Sequence, residues 1–311
     1  MNYPHFFDIK NSLRLFGLQS YFELISNLYS RKKLPKVLML TGKKGLGKST
    51  LACHFLYSIF DINNYDKNSY CISQKSKILE QFKINIFPNI IYINGSSFKS
   101  TKVEDIRNLK NTLNQSPILN KDRFIIFDDI ELFNQNSLNA LLKTIEEPSK
   151  YNYFFFINNK TKPLLQTVKS RALEININIK ESQRLEVIRN LTSFFKIDLI
   201  LDPKLFQLSP GDFIKFNYIC NEFNISPLKN YQENLSILLN LFKKNKEILF
   251  INMAFFITDI YFRNLIGKNS FKNNKIFEIK NYILDSLNNF LLYNLNQSSL
   301  LNDIKAKINN E

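Results

Sequence analysis

The sequence predicts an α/β protein in which a phosphate-loop parallel sheet is followed by segments that are helical throughout. Three observations carry this: a complete glycine-rich phosphate loop at Gly42 to Thr50, continuous apolar runs of strand length alternating with helical periodicities up to residue 177, and no strand signal beyond about residue 180. Continuously apolar strands separated by helices imply a parallel sheet covered on both faces. Ligands of such sheets bind beyond the carboxyl ends of the strands.

The elements follow in order. Val37-Leu38-Met39-Leu40, bounded by Pro35, reads as the first buried strand. It runs into Gly42-Lys43-Lys44-Gly45-Leu46-Gly47-Lys48-Ser49-Thr50, and Leu51, Phe55 and Ile59 then mark one face of a helix. Strand, glycine loop and helix start are the context that makes a phosphate-binding mechanism: glycines let backbone N–H groups converge on phosphate oxygens, Lys48 reaches the outer phosphates, and the Ser49 hydroxyl holds magnesium. The helix N-terminus adds a partial positive charge. Ile90-Ile91-Tyr92-Ile93 is the second strand. Thr101 and Glu104 form a capping box that opens a helix with Val103, Ile106, Leu109 and Leu113 on one face and Lys102, Arg107 and Lys110 on the other. Phe124-Ile125-Ile126-Phe127 is the third strand, ending in Asp128-Asp129; the helix after it, with Leu138, Leu141, Leu142 and Ile145, stops at Pro148. Phe154-Phe155-Phe156-Ile157 is the fourth strand, ending in Asn158-Asn159.

Asp128, at a buried strand end, is the natural magnesium partner of Ser49. Asp129 stands where a Glu usually polarises the attacking water. Its carboxylate is set back by about one carbon–carbon bond, which argues against efficient hydrolysis.

Beyond residue 180, Leu185, Ile188, Leu191 and Phe195 share one helical face, and Asp202-Pro203 and Ser209-Pro210-Gly211 punctuate a small helical segment. Ser226-Pro227 reads as a boundary before a helical remainder. The expected domains are 1–177 (phosphate-loop sheet), 178–226 (small helical lid) and 227–311 (all-α).

Composition sets bounds on partners and compartment. With 44% hydrophobic residues the chain is globular rather than disordered. Heavy use of Asn, Lys, Ile and Phe with no Trp looks like compositional drift, which weakens any argument from the net charge of +15. Its distribution says more: residues 1–177 carry 25 basic and 14 acidic side chains, 178–227 carry 6 and 6, and 228–311 carry 11 and 7. A polyanion such as nucleic acid is a plausible partner of the first segment, and a solvated basic surface is the competing explanation. Cys53, Cys71 and Cys220 share no metal-ligand spacing and argue for a reducing compartment without structural zinc. His5 and His54 have no sequence partners for a metal site or a catalytic triad. The N-terminus does not read as a signal peptide. Ile248 to Phe262 is apolar but short for a membrane span and is interrupted by Asn252 and Asp259. The expected location is the cytoplasm, with no membrane partner.

These motifs, in this order, resemble the AAA+ subunits of the bacterial DNA polymerase III clamp loader, the delta-prime type most closely. Thr41 to Thr50 resembles the Walker A loop, Thr101 to Arg107 the helix before Walker B, and Phe124 to Asp129 Walker B. Asn139-Ala140-Leu141-Leu142-Lys143-Thr144-Ile145-Glu146-Glu147-Pro148 is the most family-specific run. Asn159 falls on the sensor 1 position and Ser170-Arg171 on the Ser-Arg-Cys motif, with Ala172 in place of the Cys. The resemblance covers roughly residues 12 to 215, and it makes the expected fold an AAA+ sheet domain, a helical lid and a helical collar for oligomerisation. It implies ATP and Mg as cofactors, and as partners the other loader subunits of a hetero-oligomeric ring, the sliding clamp through that assembly, and primer–template DNA. It implies that Arg171 acts in trans on a neighbour's ATP, and that Lys102 and Arg107 are candidates for DNA contact by position. Asp61 to Pro88 holds only Cys71 where ATPase subunits carry a zinc-binding cysteine set, and Ser209 to Asp212 has no sensor 2 Arg. Both departures favour delta-prime over the gamma/tau-like motor subunit or another replication or repair ATPase. A small-molecule P-loop kinase would need an Arg- and Asp-bearing lid over its acceptor, and the charge-balanced stretch after residue 180 shows none.

Overall fold

A computed structural model describes residues 7–95, 103–119, 121–268, 273–293 and 295–309. Its main sheet has five parallel strands: β1 (Val37–Thr41), β4 (Ile90–Asn94), β5 (Arg123–Asp128), β6 (Asn152–Asn158) and β7 (Leu173–Asn176), in the order β4-β5-β6-β1-β7. A small antiparallel pair, β2 (Tyr65–Asp66) and β3 (Cys71–Ile72), lies outside it. The strands at the centre of the sheet are apolar almost throughout because both faces are buried, and successive side chains serve different cores. Leu38, Leu40, Phe124, Ile126, Phe155 and Ile157 point into one core; Val37, Met39, Ile125, Phe127, Phe154 and Phe156 point into the other.

The first core is closed by α1 (Gln19–Ser30), α2 (Lys48–Phe60) and α3 (Lys77–Lys83), which contribute Phe22, Phe55, Leu56 and Phe82. The second is closed by α4 (Val103–Asn114), α5 (Gln135–Glu146) and the short α6 (Gln166–Lys169), through Leu109, Leu138, Leu141 and Val168. α7 (Glu181–Phe195) and α8 (Pro210–Glu222) follow. Arg184 of α7, almost fully buried, bonds Glu181 and donates to the carbonyls of Pro203 (2.5 Å) and Leu208 (3.0 Å). That fixes the loop leading into α8.

The remaining helices are α9 (Tyr231–Asn245), α10 (Ile248–Lys268), α11 (Asn273–Tyr293) and α12 (Gln297–Asn309). α10 packs against α9 and α11, and α12 against both α9 and α11. Leu235, Leu238, Leu239, Phe250, Ile251, Met253, Ile283 and Leu287 form the interior. Tyr231 stacks on Tyr261 with ring centroids 4.4 Å apart, and its hydroxyl pairs with Thr258 Oγ1 at 2.9 Å. The helix continues past Phe262 to Lys268, and by length and composition its Ile248–Ile266 stretch is long enough to cross a membrane. Burial of Phe250, Ile251, Met253, Ala254, Ile257 and Phe262 makes it the central helix of this bundle.

Two compact units divide the chain. One takes the described residues up to Asp198 together with Asp202–Ile214; the other takes Leu199–Leu201 and the described residues from Lys215 onward. The division falls inside α8, so the stretch 178–226 expected as a lid is shared between them.

The strand assignments at 37–40, 90–93, 124–127 and 154–157 fall inside β1, β4, β5 and β6. β7 carries no apolar run and was not expected. The capping box expected at Thr101, and Lys102 with it, lies outside the described residues, as does His5; Arg107 falls on α4.

Candidate functional site

Strand order decides which loops meet. β6 lies between β5 and β1, so the carboxyl ends of these three strands stand side by side: Asp128 ends β5, Asn158 ends β6 with Asn159 after it, and Gly42 follows β1. The Gly42 N–H donates to Asn158 O at 3.2 Å, which joins the phosphate loop to the end of β6.

Within the loop, Gly47 is the N-cap of α2 with φ 86°. Lys43 is exposed, Leu46 packs against the first core, and Thr50 is half-buried in the first turn of α2. Lys48 is 2% exposed. Its ammonium donates back to the loop's own carbonyls, to Gly42 O at 2.9 Å and to Lys43 O at 2.7 Å. Burial draws its pKa down to about 8 against the pull of Asp128, Glu131, Asp129 and Asp212.

Ser49 Oγ donates to Asp128 Oδ2 at 2.7 Å, and the Tyr92 hydroxyl donates to the same oxygen. Burial raises the Asp128 pKa, opposed by these two bonds. A hydroxyl and a carboxylate in contact form a hard-oxygen pair, the donor chemistry that suits Mg. The residues present therefore fit the group expected from the sequence.

Asp129 adopts a left-handed backbone conformation, φ 52°, and its carboxylate is held on both oxygens. Asn159 Nδ2 donates to Oδ1 at 2.6 Å, and the Lys44 ammonium lies 3.4 Å from Oδ2. The sequence brought Asp129 and Asn159 into view separately; the fold joins them directly. It also adds a residue that sequence reasoning missed. Glu131 is 5% exposed, and its Oε1 accepts from Asn159 N (3.1 Å), Thr161 N (3.3 Å) and Thr161 Oγ1 (2.8 Å). Its Oε2 is buried with no hydrogen-bond partner among the described residues. A carboxylate two residues after Asp129, in an otherwise apolar Ile130-Glu131-Leu132 turn, is the signal that could have pointed to it.

The other wall of the site comes from α8. The Gly211 N–H donates to Gly45 O at 2.8 Å. A Cβ on Gly45, whose φ is +79°, would lie 2.1 Å from Ser209 Oγ; one on Gly211 would lie 2.9 Å from Gly45 O. Two glycines thus allow backbone to meet backbone where the start of α8 touches the phosphate loop. Asp212 follows, and the Ser209–Asp212 stretch holds no Arg.

Arg171 stands apart from this cluster. It follows α6, its side chain is 32% exposed, and its Nε donates to Glu146 Oε1 at 2.6 Å. Nη1 donates to Thr167 O at 2.7 Å and to Ser170 Oγ at 3.2 Å. His54 is a core residue: Nδ1 pairs with the Tyr65 hydroxyl and Nε2 with Ser12 O, and burial lowers its pKa to about 4. Cys53 and Cys220 are buried and Cys71 is half-buried.

Among the proteins similar to this chain are DNA polymerase III subunits. The family described as DNA polymerase III, delta subunit, matches residues 17–181. A DNA polymerase III subunit gamma from Buchnera aphidicola of Schizaphis graminum is 28% identical over 166 residues, covering 53% of this chain and 44% of the relative. A subunit delta' from Buchnera aphidicola of Baizongia pistaciae is 29% identical over 85 residues, 27% of this chain and 25% of the relative. The structure of a DNA polymerase III gamma subunit-related protein from Thermotoga maritima is 17% identical with a TM-score of 0.47, covering 92% of this chain and 97% of that one. The chain spans about half or less of the length of the curated relatives it matches. The fold is a five-stranded parallel α/β sheet with a core on each face, and with more than half of its 311 residues matched the chain belongs to the DNA polymerase III, delta subunit, family.

Proposed function

We propose that the chain is a delta-prime-like subunit of the DNA polymerase III clamp loader, helping to place the sliding clamp on primed DNA. It would bind ATP with Mg, turn it over weakly or not at all, and contribute chiefly through Arg171 at a neighbour's site. The observation that carries this reading is the state of Asp129. Both carboxylate oxygens are engaged, by Asn159 and Lys44, on a side chain one methylene short of the usual base. A general base must come within hydrogen-bond reach of the water it activates, and these two contacts hold the shorter side chain back.

In this reading Lys48 exchanges the carbonyls of Gly42 and Lys43 for phosphate oxygens, and the loop N–H groups complete the cradle. Ser49 and Asp128 would hold magnesium, which neutralises charge shared between phosphates. Arg171 would exchange the Glu146 carboxylate for a neighbour's phosphate, the same planar, charge-assisted recognition of an oxyanion. The helices beyond α8 would form the collar through which subunits associate, in a cytosolic complex whose partners include the sliding clamp and primer–template DNA.

Reconstitution with the other loader subunits tests the assignment. Arg171→Ala should leave assembly intact and reduce DNA-dependent ATP turnover of the complex about a thousandfold or more at the affected site. The intact Lys48, Ser49 and Asp128 set favours a second reading, a gamma/tau-like motor. That reading is established instead if the isolated chain turns over ATP and Lys48→Ala abolishes the turnover.

A further inference from the structure

The edge of the sheet opposite the phosphate loop, where β5, β6 and β1 begin, carries a concentrated positive charge that the nucleotide chemistry does not use. Three segments meet there: 31–36 before β1, 121–122 before β5, and 149–151 before β6. They are stitched together by the backbone, Phe154 N donating to Lys36 O and Arg123 N to Tyr151 O, both at 2.7 Å. Arg31, Lys32, Lys33, Lys121 and Lys150 are exposed on these segments, and Lys36 is half-buried among them.

Two of these lysines lie against aromatic rings. The Lys36 ammonium sits 3.6 Å from the Tyr153 ring centroid and donates to Lys150 O; the Lys150 ammonium sits 4.7 Å from the Tyr151 ring. Lys32 N donates to Tyr29 O and Lys33 N to Leu28 O, which turns the chain back at the end of α1. Two acids border the surface. Asp122 accepts from the Tyr29 hydroxyl at 2.9 Å, and Glu147 caps α5 three residues before Lys150.

We propose that this edge is a docking surface for the phosphate backbone of duplex nucleic acid, separate from the nucleotide site. Adjacent strands lie about 4.8 Å apart, so three strand starts span about 10 Å. Duplex DNA presents one charge per roughly 1.7 Å of axis with both strands counted, about six over that length, and the edge offers five exposed cations, Arg31, Lys32, Lys33, Lys121 and Lys150. The residue types separate nucleic acid from a protein partner. Lysine is depleted in protein–protein interfaces, whose anchors are buried aromatic and Arg side chains. Here the Tyr153 and Tyr151 rings lie against the Lys36 and Lys150 ammonium groups, and the exposed lysines are point charges suited to phosphates and indifferent to sequence. This inference does not depend on nucleotide binding or on the role given to Arg171.

Titration of the full chain with a short fluorescent duplex of mixed sequence, at several salt concentrations, tests it. Lys32→Glu/Lys33→Glu/Lys150→Glu should weaken binding at least tenfold. It should also flatten the dependence of log affinity on log salt by about 0.9 for each phosphate no longer neutralised. Lys243→Glu/Lys244→Glu/Lys305→Glu makes the same change in net charge at exposed lysines of α9 and α12, and should change affinity less than threefold. Equal losses for the two variants would mean that net charge alone drives binding, and would overturn the proposal. Unchanged binding by the edge variant would do so as well. Tighter, edge-dependent binding of polyglutamate than of the duplex would assign the surface to an acidic protein segment instead.

Discussion

Burial sets the pKa of the Lys48 ammonium at about 8, against an ordinary value of 10.5, so near neutrality it is charged in a place that disfavours charge. The consequence for stability has a definite sign. Below pH 8 both folded and unfolded chains hold the proton and the folded state bears the full cost. As pH rises from 8 towards 10.5 the folded chain releases the proton first, the unfolded state binds more protons, and stability rises. Lys48→Met should therefore stabilise the protein at pH 7 by about 1–3 kcal/mol, with the gain shrinking through that window and absent above it. Denaturant unfolding of both proteins from about pH 7 to about pH 11 measures this; a variant less stable at pH 7 would show that the bonds to Gly42 and Lys43 outweigh burial. Glu131 is the opposite case, a buried carboxylate whose Oε1 gathers three donors from the Asn159–Thr161 turn. Glu131→Ala would orphan those donors and should cost about 2–4 kcal/mol. Glu131→Gln keeps an acceptor and should cost less, and amide exchange at Asn159 should quicken in the alanine variant first. Equal effects of the two substitutions would refute the acceptor role.

At the scale of elements, the central strands were legible because burial on both faces demands unbroken apolar runs, as in Phe124–Phe127 and Phe154–Ile157. β7 was not, because it is an edge strand: Leu173, Glu174 and Asn176 are exposed and Ile175 is half-buried, so neither an apolar run nor a clean alternation marks it. The phosphate loop was readable as a local motif, whereas its surroundings depend on chain closure. Glu131 reaches Asn159 across 28 residues, and Glu146 reaches Arg171 across 25. No local periodicity encodes either. The seam between the phosphate loop and α8 is of the same kind, and it makes a prediction. Gly211→Ala places a methyl group 2.9 Å from Gly45 O, a backbone atom that yields only if the start of α8 moves away. The variant should lose about 1–3 kcal/mol and the amide at 211, which donates to Gly45 O, should exchange faster while the α2 amides keep their protection. Unaltered exchange at 211 would mean that the seam is not a constraint.

The whole molecule has two compact units, each with an interior of its own: the sheet with its two helical layers, and the bundle around α10. A chain built this way is expected to depart from two-state unfolding. The candidate phosphate-binding residues Lys48, Ser49 and Asp128 all lie in the sheet unit, so a bound nucleotide should stabilise that unit alone, by about 2.7 kcal/mol at a hundred times its dissociation constant. Leu238 is fully buried on α9 in the bundle, and Leu238→Ala should remove about 2–5 kcal/mol from that unit. Calorimetry should then resolve two transitions that respond separately: Mg-ATP raises one midpoint, and Leu238→Ala lowers the other. The assignment of each transition is internal to the experiment, since the Lys48→Ala variant should keep both transitions and lose only the shift caused by ATP. One transition that both perturbations move together would mean that the units unfold as a single cooperative body. Nucleotide occupancy would then stabilise the bundle as well, and the helices proposed to join this subunit to its neighbours would be coupled to the phosphate loop.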